Sequence, residues 1–289
     1  MLRHDLRCGV LKDKGTEKMD RTKKRERVRL KMTFLGTGTS TGTPQLGCQC
    51  AVCSSSDPRD MRLRSSALLE WEGGTTILVD CGPDFRQQAL RHPFARLDGV
   101  LITHEHYDHV GGLDDLRPYC YPDGLTLYAP SNTAAALRTR MPYAFAEHRY
   151  PGAPQLELVE VSKRETFRIA TLEVQPVEVM HYKLPMLGYR IGTFAYVTDK
   201  LTISPEEEAK LQGLDLLVLN ALRIKPHLSH QTLSDALSMV KRLQPKRCYL
   251  IHPSHDIGLH AKVSAMLPSN VFLAYDGLIV EEEITLPNG

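Results

Sequence analysis

The segment THEHYDHVGG, residues 103–112, carries four metal-binding side chains within six positions. His104, His106, Asp108 and His109 follow the apolar run VLIT, which is typical of a strand that ends near the first ligand. Because side chains two apart on a strand point to the same side, His104 and His106 can bind one ion. Asp108 and His109 lie on the following turn and can face a second ion. Imidazole and carboxylate ligands suit zinc, manganese or iron, so the segment predicts a metal site without choosing the metal.

A second group of candidate ligands lies in GCQCAVC, residues 47–53, which holds three of the seven cysteines of the chain. Thiolates at this spacing can chelate one zinc ion, but a closed structural site needs four ligands. The fourth ligand must therefore come from elsewhere in the chain. The cysteines are clustered and odd in number, which favours a reducing cytoplasm in which Cys8, Cys81, Cys120 and Cys248 remain plain thiols.

The pattern His-X-His-X-Asp-His after a strand resembles the shared motif of the metallo-β-lactamase superfamily. In that superfamily the later ligands are an isolated histidine, an aspartate that closes a strand and a late histidine, which His181, Asp199 and His252 match in order. The resemblance implies one ion held by His104, His106 and His181, a second held by Asp108, His109 and His252, and Asp199 as the bridge. Asp80 in ILVDCG matches an acidic residue that precedes the motif, and we expect it to orient the ligand loop.

The cysteine segment narrows this resemblance, because most members of the superfamily lack a Cys-X-Cys-X-X-Cys motif. It is similar to the phosphodiesterase accessory to carbon–phosphorus lyase (PhnP-like proteins), in which three thiolates and a histidine form a separate structural zinc site. That histidine lies three residues after the last catalytic histidine, the position of His255 here. The resemblance implies two divalent catalytic ions, zinc or manganese, and one structural zinc on Cys48, Cys50, Cys53 and His255. It also assigns His230 as the general acid that protonates the leaving group, with Asp108 as the other catalytic residue.

The elements that must position these residues read first as strands and later as alternating strands and helices. Short apolar runs between turn residues dominate the chain from Leu30, whereas SPEEEAKLQG and TLSDALSMVKRLQ have helical spacing. Ser204 and Pro205 are predicted to cap and begin the first of these helices. The order fits one α+β or layered α/β domain over residues 32–289. The resemblance implies an αββα sandwich of the metallo-β-lactamase type, with two sheets face to face and helices outside.

Charge is distributed unevenly along the 289 residues. Residues 1–31 carry 12 Lys/Arg against 5 Asp/Glu, which leaves 24 against 29 for the rest of the chain. We expect a basic, disordered tail in residues 1–31, with a polyanion-binding arm as the alternative. The acidic balance of the folded part disfavours nucleic acid as a partner, and the apolar runs are too short to span a membrane. The sequence leaves the oligomeric state open, including a homodimer.

Two ions about 4 Å apart can activate a bridging water, bind a phosphoryl oxygen and stabilise a leaving group. The leading hypothesis is therefore a dimetal hydrolase whose bridging hydroxide cleaves a small phosphodiester, such as a cyclic ribose phosphate or a nucleotide. Three alternatives remain open: an RNA 3′-processing nuclease of the tRNase Z kind, which also begins with FLGTG; a lactonase or thiolesterase; and a non-catalytic metal-binding or cofactor-biosynthesis protein. A dinucleotide site at LGTGTSTGTP is rejected, because this segment runs into the cysteines instead of opening a helix.

Overall fold

Fourteen strands and seven α-helices make up the part of the chain that the computed structural model describes, residues 26–287. The strands are β1 (Arg27–Gly36), β2 (Ser66–Trp71), β3 (Thr76–Val79), β4 (Gly99–Leu101), β5 (Leu125–Pro130), β6 (Leu156–Val161), β7 (Phe167–Ile169), β8 (Leu172–His181), β9 (Leu184–Ile191), β10 (Phe194–Val197), β11 (Leu216–Asn220), β12 (Arg247–Ile251), β13 (Val271–Leu273) and β14 (Ile279–Thr285). The helices are α1 (Phe85–Arg91), α2 (Tyr107–Val110), α3 (Ser131–Arg140), α4 (Pro142–Phe145), α5 (Pro205–Ala209), α6 (Leu233–Leu243) and α7 (His260–Ser264). Short 3₁₀ helices span Pro58–Asp60, Leu113–Cys120 and His255–Ile257.

The strands form two seven-stranded sheets of matching design. The first has the order β14-β1-β2-β3-β4-β5-β6 and the second the order β13-β12-β11-β10-β9-β8-β7. In each sheet four strands pair antiparallel and three more are added in parallel. The two halves therefore repeat one layout, although the sequence shows no repeat. The last strand, β14, returns to pair with β1 and joins the halves.

Alternating side chains on the strands build three apolar layers. On β11, Leu216 and Val218 face the core between the sheets, whereas Leu217 and Leu219 face the layer under α6. On the first sheet, Leu78 packs instead against α1 and α3. A helical layer thus covers the outer face of each sheet, and the predicted αββα sandwich of the metallo-β-lactamase type is confirmed.

Three local features differ from the sequence-based expectation or extend it. Strand β1 begins at Arg27, inside the segment 1–31 that we assigned to a tail, because Val28 and Leu30 alternate with basic residues and face the core. The prediction of disorder for residues 1–25 lies outside the described residues. Helices α1 and α3 were not predicted among the early strands. Ser204 does cap α5, since its hydroxyl accepts the N–H of Glu207.

Within residues 26–287 no helix combines the length and apolar character needed to cross a bilayer.

Candidate metal centre

The predicted ligands meet where strands of both sheets end. His104 follows β4, His181 is the last residue of β8, and Asp199 and His252 follow β10 and β12. Asp199 and His252 have positive φ angles of 51° and 58°, and Asp80 after β3 has 57°. Such backbone is uncommon for residues other than glycine and is typical of functional sites whose surroundings hold it in place. The fold therefore maintains these turns so that the side chains point into one region.

His104, His106 and His181 form the first ligand group. Nε2 of His104 lies 3.0 Å from Nδ1 of His106, and the rings of His106 and His181 are 5.0 Å apart. Nδ1 of His181 donates to the carbonyl oxygens of Asp199 at 2.9 Å and Ser229 at 3.0 Å. Its Nε2 therefore carries the free lone pair. The ligand atoms of the three histidines lie within 4.8 Å of one another.

Asp80 fixes the tautomers of two ligands without joining either group. The Thr103 hydroxyl donates to Asp80 at 2.8 Å, so it can only accept from Nδ1–H of His104, which lies 3.0 Å away. That bond leaves a bare lone pair on Nε2 of His104 facing His106. Asp80 also accepts from Nδ1 of His109 at 2.7 Å, which directs Nε2 of His109 inward. Both nitrogens, Nε2 of His104 and Nε2 of His109, thus point toward the other ligand side chains, and an inward lone pair on each fits a metal ion.

The second ligand group contains Asp108, His109, Asp199 and His252. Nε2 of His109 lies 3.2 Å from Asp108 and 3.5 Å from Asp199, and Nε2 of His252 lies 3.5 Å and 3.2 Å from the same carboxylates. Atoms about 2.1 Å from one tetrahedral ion are roughly 3.4 Å apart. Nε2 of His109 is also buried without a hydrogen-bond partner among the described residues. The spacing and the unpaired nitrogen both match a metal site.

Asp199 connects the two groups. Its Oδ2 lies 3.9 Å from Nε2 of His104 in the first group and 3.2–3.5 Å from the imidazoles of His109 and His252 in the second. One carboxylate oxygen thus contacts ligands from both sides. This is the residue to which the resemblance assigns the bridging position.

The charges at the second group stabilise a cation. Burial alone would lower the pKa of His109, but the carboxylates of Asp108, Asp199 and Asp80 hold it well above its usual range. Burial would raise the pKa of Asp199, yet the imidazoles of His252 and His109 keep it well below that of an ordinary carboxyl. Burial lowers the pKa of His104. The second group therefore places anionic carboxylates against the buried imidazoles of His109 and His252, and carboxylate with imidazole is the donor set of zinc and related divalent ions.

His230 lies at the edge of the first group. Its ring centroid is 4.5 Å from that of His181 and 5.1 Å from that of His252. The cap that Thr232 provides for α6 fixes the point at which the preceding loop enters the helix. Burial lowers the pKa of His230 to about 3, so its imidazole is neutral at pH 7. Because its ligand atom lies within 4.8 Å of those of His181 and Asp199, His230 can reach an ion as well as a substrate oxygen.

The cysteine segment meets His255 as the resemblance implied. Sγ of Cys48 and of Cys50 lie 3.4 Å and 3.3 Å from Nδ1 of His255, and Cys53 completes a group within 4.8 Å. The backbone N–H of Cys53 and the imidazole of His255 lower the pKa of Cys50 to about 6, so this thiol is ready to bind metal as a thiolate. Burial raises the pKa of Cys53 to about 11. Three cysteines and one histidine are the ligand set of a closed zinc site of the Cys₃His type, and these four residues fit such an ion.

Sequence reasoning missed the residues that hold the His252 backbone. The N–H of His252 donates to the carbonyl of Thr37 at 2.8 Å. The N–H and hydroxyl of Thr37 donate to Asp276 at 2.8 Å and 2.7 Å, and buried Arg62 donates to the Thr37 hydroxyl at 2.8 Å. No local spacing links these residues, because Thr37 and Asp276 are 239 positions apart. Thr103 was also missed, although its place directly before His104 was a signal.

Comparisons with known proteins find a matching family profile, a similar solved structure and curated relatives. The sequence profile of a beta-lactamase superfamily domain matches residues 75–253. A solved structure described as a new diphosphatase from the PhnP family is 41% identical, with a TM-score of 0.83 over 90% of this chain and 100% of that one. An octanoyltransferase of Porphyromonas gingivalis is 45% identical over 257 residues, 88% of this chain and 52% of that protein. A ribonuclease BN of Erwinia tasmaniensis is 31% identical over 55% of this chain and 48% of that protein. The chain spans about half the length of these two curated relatives.

Proposed function

The chain belongs to the PhnP family of the metallo-β-lactamase superfamily, and on that basis we propose that it is a metal-dependent hydrolase of small phosphodiesters. The observation that carries the proposal is the Asp199 carboxylate, which contacts imidazoles of both ligand groups at 3.2–3.9 Å. Such a carboxylate suits a pair of divalent ions. When bound, the pair supplies Lewis acidity toward phosphoryl oxygens and lowers the pKa of water.

The residues of the chain have separate roles in the proposed hydrolysis. His104, His106 and His181 would hold one ion, Asp108, His109 and His252 would hold the other, and Asp80 directs Nε2 of His109 toward the second position. Although burial opposes it, the adjacent imidazole of His109 holds the pKa of Asp108 well below that of an ordinary carboxyl. Asp108 is therefore anionic at neutral pH, and a carboxylate oxygen can accept the proton of the attacking water.

His230 donates the proton that the departing alkoxide needs. Its ring lies beside His181 and His252, next to the space that a bound phosphoryl group would occupy. An anionic phosphoryl group beside the ring favours the imidazolium and offsets the effect of burial on its pKa. A positioned proton donor of this kind contributes about 10²–10⁴-fold to the rate.

Two observations support a small phosphodiester as the substrate class. One solved structure, which is 41% identical and matched over 100% of its length, is described as a diphosphatase, an enzyme that also hydrolyses a bond at phosphorus. His181 pairs with Leu184 across a hairpin of only two residues, so no inserted arm extends from the site at this point. A site with such a short hairpin at its edge favours a small substrate over a long polymer.

An RNA 3′-processing nuclease is the second candidate, because the ribonuclease BN relative shares 31% identity over 167 residues. The acidic balance of residues 32–289 counts against a large RNA-binding surface. The octanoyltransferase name suggests acyl transfer, but the described residues 26–287 offer no suitable thiol for that reaction. Cys48, Cys50 and Cys53 meet His255, and the other described cysteines are buried.

One set of assays tests the proposal. Enzyme loaded with zinc or manganese is offered bis(4-nitrophenyl) phosphate, a cyclic ribose phosphate, a precursor tRNA and a lactone. We expect turnover of the first two and a loss of about 100-fold or more in Asp199→Asn. Asp98→Asn is the control, because it makes the same substitution at an aspartate that accepts a hydrogen bond, from the backbone N–H of Thr76 at 2.8 Å, but lies outside both ligand groups. Turnover of the lactone or tRNA alone would contradict the proposal.

A further inference from the structure

A small cavity opens beside the metal-ligand loop. It has a volume of about 210 Å³, and its wall includes Tyr107, Leu137, Arg140, Met141 and Tyr143. Tyr107 lies between the ligands His106 and Asp108, so its Cα is only about 3.8 Å from theirs along the chain. The cavity therefore begins one residue from the metal centre. Neither the metal ligands nor the predicted proton donor lies in its wall.

The Tyr107 ring is held in place yet remains accessible. A Cβ at Gly111 would lie 2.8 Å from the Tyr107 ring, so the absence of a side chain at Gly111 leaves room for the ring to pack against the helix end. The side chain is nevertheless 67% exposed, although the adjacent ligand Asp108 is buried. A fixed aromatic ring with an open face is suited to stacking against a flat unsaturated ring.

Arg140 adds a positive charge to the same cavity. Its guanidinium donates to the carbonyl oxygen of Glu105, the residue between His104 and His106. The guanidinium therefore lies against the ligand loop, and the remaining N–H groups have no carboxylate partner among the described residues. Arginine presents several donors in a planar fork that matches phosphate oxygens.

The one acidic residue in the cavity wall is already paired. Asp114 accepts the hydroxyl of Tyr143 at 2.8 Å and the guanidinium of Arg117 at 2.8 Å. Its charge is thus balanced locally, and Arg140 gives the cavity a net positive character. The cavity combines an aromatic ring, apolar side chains and one available guanidinium.

We propose that this cavity binds the base of a nucleoside phosphodiester, with Tyr107 stacking on the base and Arg140 contacting a phosphate oxygen. This assignment rests on the proposed function and narrows the substrate class to nucleotides. The volume holds one ring system, so the cavity selects a mononucleotide-sized group and excludes a stacked strand. A cyclic ribose phosphate without a base would leave the Tyr107 ring unused.

Two esters with the same leaving group test the cavity: methyl 4-nitrophenyl phosphate and thymidine 5′-(4-nitrophenyl) phosphate. We expect kcat/KM of the wild type to favour the thymidine ester. Tyr107→Leu should lower that preference about tenfold, mainly through KM, because one base-stacking contact is lost. Tyr107→Phe keeps the ring and should restore the preference. Tyr121→Leu is the control, since Tyr121 is 60% exposed and lies outside the cavity wall.

Calorimetric binding of thymidine 5′-monophosphate and methyl phosphate gives a readout that needs no turnover. We expect tighter binding of the thymidine compound, weakened by Tyr107→Leu and by Arg140→Met. An ester preference that Tyr107→Leu leaves unchanged, or equal affinity for the two monophosphates, would overturn the assignment. If the wild type cleaves neither ester, the proposed function fails, and calorimetry still decides whether the cavity binds a nucleotide.

Discussion

Asp80→Asn tests how the fold prepares a metal ligand. One Asp80 oxygen accepts the backbone N–H of Thr103 at 2.8 Å, and the other accepts Nδ1–H of His109 at 2.7 Å. The backbone donor is fixed, so the asparagine oxygen must face Thr103 and its amino group must face His109. Nδ1 of His109 then has to accept, which places the proton on Nε2, the atom that points at Asp108 and Asp199. A protonated nitrogen cannot bind an ion.

The size of the effect follows from this change of tautomer. Loss of a hydrogen-bond partner behind a histidine ligand costs about 10–100-fold in metal affinity, or about 1.4–2.7 kcal/mol. The backbone tolerates the change, because Asp80 has a φ of 57° and asparagine adopts that conformation readily. The variant should therefore fold normally and lose metal from the second ligand group, while the ion held by the cysteines stays.

Metal content after dialysis against a competing chelator measures the loss. We expect Asp80→Asn to retain about one ion fewer per chain than the wild type, with Asp98→Asn unchanged. Asp98 is a suitable control because it accepts the N–H of Thr76 at 2.8 Å on the same sheet. Unchanged stoichiometry and affinity in Asp80→Asn would show that tautomer control by Asp80 does not govern this site.

Three further predictions concern other parts of the molecule. Cys50→Ser should release about one ion per chain and leave the other ligand groups filled, because it removes one ligand of the Cys₃His group. The total metal content, measured by mass spectrometry, tests this prediction, and an unchanged total would contradict it. His230→Ala should slow hydrolysis of esters with poor leaving groups far more than that of nitrophenyl esters, since only poor leaving groups need the proton. Equal losses of turnover on both kinds of ester would indicate a binding role for His230. Burial raises the pKa of Asp276 to about 6, above about 3.9 in an unfolded chain. The folded protein therefore holds this proton more tightly, and the free energy of unfolding should fall by about 2 kcal/mol as the pH rises from 4 to 6. In Asp276→Asn, the free energy of unfolding measured in urea should lose this dependence on pH. A variant whose free energy of unfolding changes with pH as in the wild type would refute the prediction.

Much of the fold follows from local pattern. The run LLVL at the start of β11 is apolar at every position because both faces of the strand are buried, and the structure places Leu216 and Leu217 in different layers. The capping residues Ser204 and Thr232 mark helix starts by the same local chemistry. Strand β1 was predicted too short, because charged residues at alternate positions conceal a strand whose other face is buried. Its true start depends on pairing with β14, at the opposite end of the chain.

The sequence by itself determined the residue types of both candidate metal sites, because ligands in HEHYDH and CQCAVC lie close along the chain and their chemistry is local. It also placed His181, Asp199, His252 and His255 through a pattern of order. Only the tertiary structure decided which nitrogen of each histidine faces inward, that Asp199 contacts both groups, and that Thr37 and Asp276 hold the turn at His252. These features depend on distances of a few ångströms between strand ends far apart in sequence. Such distances are set by the packing of two sheets, which no local pattern encodes.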